Sequence, residues 1–192
     1  MPQLVYMYME KFYKAYVMIS KISFQYFDYN VKKERVLRRD GGRYIVNPIA
    51  LSWNDEHYYL IAHSDNREGL THYRVDKMND VQMLDEKRQS SASQFNLAEY
   101  SKKIFGMFGG EETDVRLRAD NQLVGAFIDR FGKEIRMNAD GDKHFIVRVK
   151  IAISPVFYGW LFQFGELCEV LEPQTLKDDL KTHTKDFLLR LA

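Results

Sequence analysis

The spacing of hydrophobic and polar positions changes period several times along this chain of 192 residues. Over residues 3–20, Leu4, Met7, Tyr8, Phe12, Ala15, Tyr16 and Ile19 recur at steps of three and four, which predicts one amphipathic helix. The period then drops to two. Ile22, Phe24 and Tyr26 share one face of an expected strand. Asn30, Lys32 and Lys33 make a turn, and Glu34 to Arg39 is expected to return as the partner strand, with Val36 inward. Asp40-Gly41-Gly42 is a hairpin turn signal. Three runs rich in β-branched and aromatic residues follow: Arg43 to Trp53, His57 to His63 and Leu70 to Val75. Polar turns at Asn54-Asp55-Glu56 and at Ser64 to Gly69 separate them, so they read as an antiparallel meander. Alternation in the third run sets His72, Arg74 and Asp76 on one face and Tyr73 and Val75 on the other. A short strand near Val81 to Leu84 completes a small curled sheet or barrel.

Glu86 to Phe95 breaks the pattern with the small polar run Gln89 to Gln94, a boundary signal. A helix from Asn96 or Leu97 to Phe105 is expected next, with Gly106 as its cap. From Thr113 the order becomes strand-helix-strand-strand-helix-strand-helix. Val115, Leu117 and Ala119 alternate; Asn121 to Phe131 is amphipathic and stops at Gly132. Strands at Glu134 to Asn138 and His144 to Ile153 flank the turn Ala139 to Asp142. Ser154-Pro155 caps and starts a helix to Phe164, Leu167 to Leu171 is the last strand, and Pro173 opens a final helix. That order is the ferredoxin-like split βαβ plan. The fold class is α+β: a helix at 1–20, a small β-barrel at 21–86, a connecting segment with a helix at 87–112, and a ferredoxin-like domain at 113–192.

Composition changes this picture little. Hydrophobic residues are 45% and charged residues 29%, as in ordinary soluble globular chains. The net charge is +1, so any affinity for nucleic acid must come from a local patch. The single cysteine, Cys168, forbids an internal disulfide and reads as a buried, inert thiol. No apolar run approaches the roughly 18 residues of a membrane span. The cluster Val5 to Met9 is short and is followed by Glu10, Lys11 and Lys14, unlike a signal peptide. A cytoplasmic location without a membrane partner fits.

No catalytic motif survives inspection: there is no Gly-rich phosphate loop, no Gly-x-Ser-x-Gly and no His-Glu-x-x-His. His57, His63 and His72 fall near one another in the meander, but no acidic or cysteine cluster supports them at ligand spacing, so neither a metal nor a cofactor is expected. What remains is basic and aromatic. Arg38, Arg39, Tyr59, His72, Arg74 and Lys77 come from neighbouring strands and their ends. Arginines offer fixed donors to phosphate, and rings offer stacking surfaces to bases. Composition alone favours a plainer reading, in which these are solvated strand faces and Arg74 pairs with a carboxylate such as Asp76.

The meander resembles a WYL domain. The resemblance rests on Tyr58-Tyr59-Leu60 in place of the Trp-Tyr-Leu triplet, on Pro48 of the preceding strand, and on Tyr73-Arg74-Val75-Asp76-Lys77-Met78. Two departures stand out: Tyr58 replaces the tryptophan, and Lys77 replaces a second arginine and so lacks its bidentate fork. Asp129-Arg130-Phe131-Gly132, Ser154-Pro155 and Trp160 before Gly165 are similar to the WCX extension that follows WYL domains. The resemblance implies an Sm-like, SH3-like barrel. It also implies a ligand-sensing module of a bacterial transcriptional regulator, not an enzyme. Its basic pocket would take a nucleotide or oligonucleotide effector through Arg38, Tyr59, His72, Arg74 and Lys77. In such regulators a winged helix-turn-helix binds DNA; none precedes the barrel in this sequence, and the helix at 3–20 resembles the usual linker. A homodimer is expected. The alternative is a stand-alone accessory protein that binds single-stranded nucleic acid. An enzyme ranks behind both, because no nucleophile with an evident base is present.

Overall fold

The computed structural model describes residues 2–88, 95–109 and 111–191. The chain divides into two compact units, residues 1–97 and 98–192. The centre of the polar run expected to form the boundary, residues 89–94, lies outside the described residues.

The first unit is a curled antiparallel sheet with one helix on its concave side. Helix α1 (Pro2–Val17) precedes β1 (Ser20–Tyr29), β2 (Arg35–Leu37), β3 (Tyr44–Asn54), β4 (His57–His63), β5 (Leu70–Arg74) and β6 (Met78–Lys87). The strand order is β2-β1-β3-β4-β5, and β6 also pairs antiparallel with β1, off that path. Burial follows the period-two pattern: Ile22, Phe24 and Tyr26 of β1 meet Leu60 and Ala62 of β4 and Tyr73 of β5 in one core. Helix α1 adds Tyr8, Phe12 and Ala15 to it, while Met7, Tyr16 and Ile19 stay exposed. The apolar stripe read from the sequence is therefore wider than the face the sheet can cover. A buried aromatic cluster fills the barrel: Phe24 stacks on Tyr44 with centroids 5.6 Å apart, and Tyr73 meets Phe24 edge-on at 5.1 Å.

Three expectations need correction here. The return strand after β1 is only three residues long, and Val36 is half exposed rather than inward. Arg38 to Gly41 leaves the sheet in a 3-10 turn, with Arg39 and Asp40 in the left-handed region (φ 54° and 51°). The strand carrying Arg74 ends at that residue; Val75–Lys77 is another 3-10 turn, which folds Asp76 back towards Arg74. The last strand spans ten residues, well beyond Val81 to Leu84.

The second unit contains α2 (Leu97–Lys103), β7 (Glu112–Asp120), α3 (Val124–Phe131), β8 (Met137–Asp140), β9 (His144–Ala152), α4 (Pro155–Phe162), β10 (Cys168–Glu172) and α5 (Gln174–Leu189). Its sheet runs β10-β7-β9-β8, all antiparallel, the arrangement of the ferredoxin-like plan. Val115, Leu117 and Ala119 of β7 and Phe145, Val147 and Val149 of β9 face helices α3 and α4. Local signals act as read. Ser154 Oγ accepts a hydrogen bond from the Phe157 N–H at 3.2 Å, and Pro155 opens α4. Gly132, with φ 90°, ends α3. The chain then turns once more, the Ile135 N–H donating to the Gly132 carbonyl at 3.2 Å. That turn delays β8 to Met137, three residues later than the sequence suggests.

Candidate functional site

Five side chains are expected to form a basic and aromatic site, and the barrel brings four of them to one end of its sheet. The register of β4 against β5 sets Tyr59 directly opposite Arg74. Both stand on the face away from Leu60 and Tyr73, as alternation requires. The Arg74 guanidinium donates through Nε and Nη2 to the two carboxylate oxygens of Asp76, at 3.1 and 2.8 Å. Its Nη2 also meets His57 Nδ1 at 3.2 Å. The pairing with Asp76 that composition alone suggested is therefore present. It leaves Nη1 of Arg74 without a protein partner among the described residues, and the side chain is 29% exposed.

Tyr26 and Asp28 of β1 join the remaining cations to this arginine. The Arg74 backbone N–H donates to the Tyr26 hydroxyl at 3.0 Å. Arg38 lies over the Tyr26 ring, 5.2 Å from its centroid, and donates to Asp28. Lys77 Nζ donates to the other Asp28 oxygen at 3.1 Å. One carboxylate thus gathers cations from two turns distant in sequence. Neither tyrosine of the triplet nor the arginine announces Tyr26 or Asp28; both lie outside the motif, and only the pairing of strands shows their place.

The electrostatics follow from these contacts. The Arg38 hydrogen bond holds the Asp28 carboxyl below its usual range, with Lys77 assisting. Burial pushes Asp76 upward, but the Arg74 fork prevails and leaves it lowered. Burial raises the Tyr59 phenol, against the pull of Arg74. Burial drives Tyr26 to about 12, so it stays a neutral hydroxyl. His72 stands apart from the others. It lies opposite Ile61, which is fully buried, and burial lowers its pKa to about 4. At neutral pH His72 is therefore an uncharged ring, a poor candidate for holding an anion. Arg39, read alongside Arg38, sits over the Tyr44 ring at 4.1 Å.

A second space escaped the sequence reading. A cleft of about 320 Å³ opens between α1 and β3–β4, walled by Phe12, Tyr13, Tyr16, Ile49, Leu51 and Leu60. Leu60 points away from Tyr59, so the cleft and the cationic cluster lie on opposite faces of β4. Its walls suit an apolar group, not phosphate. In the second unit, Cys168 is half-buried and burial pushes its thiol up to about 12, which leaves it unreactive. Among the described residues no group of three His, Cys, Asp or Glu is placed to hold a metal ion. Among the described residues no helix is long and apolar enough to cross a membrane.

Comparison with known proteins bears on this geometry. A family model for the WYL domain matches residues 8–83, and one for the WCX domain matches residues 111–188. Among solved structures the chain is similar to Proteasome accessory factor B/C (PafBC) of Arthrobacter aurescens, at 16% identity and a TM-score of 0.40. That match covers 93% of this chain and 26% of the other, so the chain spans about a quarter of that protein. No curated protein matches it.

Proposed function

From a chain that carries a WYL domain followed by a WCX domain, we propose a ligand-sensing module whose barrel binds a nucleotide or a nucleic-acid-derived effector. The two domain matches support a WYL-type regulatory module; the ligand and its residues are our reading. One observation carries it. Arg74, with Nη1 unused, stands opposite Tyr59, while Arg38 and Lys77 are drawn to the same end by Asp28. Oriented guanidinium donors suit a phosphate, and the half-buried Tyr59 ring suits a base. Asp76 acts here as a positioning residue, fixing the fork so that little side-chain entropy is lost when an anion arrives. In a bacterial transcriptional regulator the occupied barrel would shift a homodimer between arrangements that a DNA-binding domain reads. No side chain of the cluster is a nucleophile beside a base, which favours binding over turnover.

The test is a binding panel of mononucleotides, dinucleotides, short oligonucleotides and inorganic phosphate. Base-bearing ligands are expected to be preferred. Arg74→Ala should weaken nucleotide binding by ~1.5–3 kcal/mol, the size of a charged hydrogen bond. Tyr59→Ala should remove ~1–3 kcal/mol and leave phosphate binding unchanged. Equal competition by inorganic phosphate would refute the stacking role. If nothing in the panel binds at low salt, the sensing role fails.

We also propose that the barrel and the ferredoxin-like domain are separable near residues 86–96. Limited proteolysis is expected to cut there first, because the run is polar and lacks apolar periodicity. First cuts within 43–78 or 134–171 would show a different boundary.

A further inference from the structure

In the first unit the cations of the candidate site are largely neutralised, whereas those of the neighbouring hairpin are not. Lys21 pairs with Asp65 and Glu86, Arg43 with Asp80, Arg74 with Asp76, and both Arg38 and Lys77 with Asp28. Lys32, Lys33, Arg35 and Arg39 have no carboxylate partner among the described residues. All four lie between β1 and β3, where every residue from 29 to 40 is exposed. The chain as a whole carries only one net positive charge, so this clustering is local.

The backbone there is held in an unusual shape. Lys33, Arg39 and Asp40 are all left-handed, at φ 64°, 54° and 51°, which costs a residue with a Cβ. The Arg39 guanidinium is laid on Tyr44, and Arg38 on Tyr26, so both cations are oriented before any ligand arrives. Tyr29, at the foot of the turn, meets Phe27 edge-on with centroids 5.5 Å apart and is still 48% exposed. Arg35 lies over Phe27, from which Tyr26 and Arg38 are separated by the strand's alternation. Fully extended, the five steps from Lys33 to Arg38 would span at most ~17 Å, and only Arg35–Leu37 is strand, so the span is shorter. That leaves room for at most about five stacked nucleotides.

We propose that the β1–β2 hairpin and the turn after it form a second anion-binding surface, which takes the sugar-phosphate backbone of a single-stranded oligonucleotide. Lys32 and Lys33 hold phosphates at the tip, Arg39 holds one at the barrel end, and Tyr29 stacks a base between them. The assignment of the anion as nucleic acid rests on the reading of the barrel given above; the surface itself does not. An anionic membrane is the competing partner, since Val31, Val36 and Leu37 are also exposed. Four cations without a carboxylate partner among the described residues, beside the exposed Tyr29 ring, favour a strand of phosphates and bases over lipid.

The test uses the full chain, fluorescence anisotropy, and labelled oligothymidylates of one to twelve nucleotides over a range of salt. Lys32→Gln with Lys33→Asn is the first variant; asparagine tolerates the left-handed backbone at Lys33. Arg39→Asn is the second, for the same reason. Affinity is expected to rise with length up to about five nucleotides and then level off. The double variant should weaken the twelve-nucleotide ligand at least tenfold at low salt. It should also reduce the slope of log affinity against log salt by roughly 1.4, the effect of two lost phosphate contacts. Mononucleotide affinity should not change. Length-independent affinity, or an unaltered slope in both variants, overturns the proposal and leaves the barrel site standing. Hairpin-dependent binding that Arg74→Ala does not touch supports the hairpin and removes the barrel site. Tighter binding to phosphatidylserine vesicles than to the twelve-nucleotide ligand, lost in the double variant, overturns it in favour of a membrane surface.

Discussion

Replacing Arg130 by alanine is expected to lower the stability of the C-terminal unit by about 3 kcal/mol, among the large effects seen for single substitutions. The residue is a half-buried cation at the end of α3, and burial alone lowers its pKa. Among the described residues its guanidinium has no carboxylate partner. Instead Nη1 and Nη2 donate to the carbonyls of Ser101 and Ile104, at the last turn of α2. Those carbonyls have no partner within the helix and form the negative end of its dipole. The same guanidinium lies 3.8 Å from the centroid of the Phe105 ring. Alanine would remove two charge-assisted bonds and the ring contact together, and leave the carbonyls to find water. In a unit of this size the melting temperature should fall by roughly 10–20 °C. Arg130→Lys should recover only part of the loss, because one ammonium cannot span both carbonyls and cover the ring. A fall of less than about 3 °C would show that the arginine is a solvated charge. The motif Asp129 to Gly132 would then be important only for its glycine cap.

Acidification should weaken the barrel before its carboxylates titrate. Burial lowers His72 from 6.5 to about 4, so the folded state binds the proton less readily than the unfolded chain. Above pH 6.5 the residue is neutral in both states and costs nothing. Between pH 6.5 and 4 the unfolded chain takes up the proton and the folded one does not, so stability falls as the pH falls. The full loss by pH 4 is about 2–3 kcal/mol. Asp28, Asp65, Asp76 and Asp80 also have lowered values, but their contribution disappears only at lower pH, as they protonate. The two windows can therefore be separated. Urea unfolding of His72→Gln should be flat from pH 7 to about 4.5 and then decline as in the parent. A parent slope that persists in the variant would place the proton elsewhere.

The elements of this protein were legible because their signals are local. Alternation in Ile22-Ser23-Phe24-Gln25-Tyr26 and in Val115 to Ala119 determines which side chains enter the core, and the structure buries that set. Ser154-Pro155 and Gly132 act on the backbone within one turn, so the start of α4 and the end of α3 could be read directly. The order of elements after Thr113 likewise left few topologies open. Errors fell where longer contacts decide. Val36 alternates like a core residue, yet β2 pairs only with the outer end of β1, where no second layer covers it. Asp76 shares a parity with Arg74 on paper, but a 3-10 turn, not a strand, brings it to the guanidinium. The candidate site depends most on such contacts. Asp28 and Lys77 are separated by 49 residues and Tyr26 and Arg74 by 48, so their bonds exist only because β1, β5 and β6 close into one curled sheet. Residue types and spacing could nominate Arg74, Tyr59 and Arg38. Which cations are neutralised, and which of them a turn leaves exposed, follows from strand register and burial, for which no local pattern in the chain carries the information.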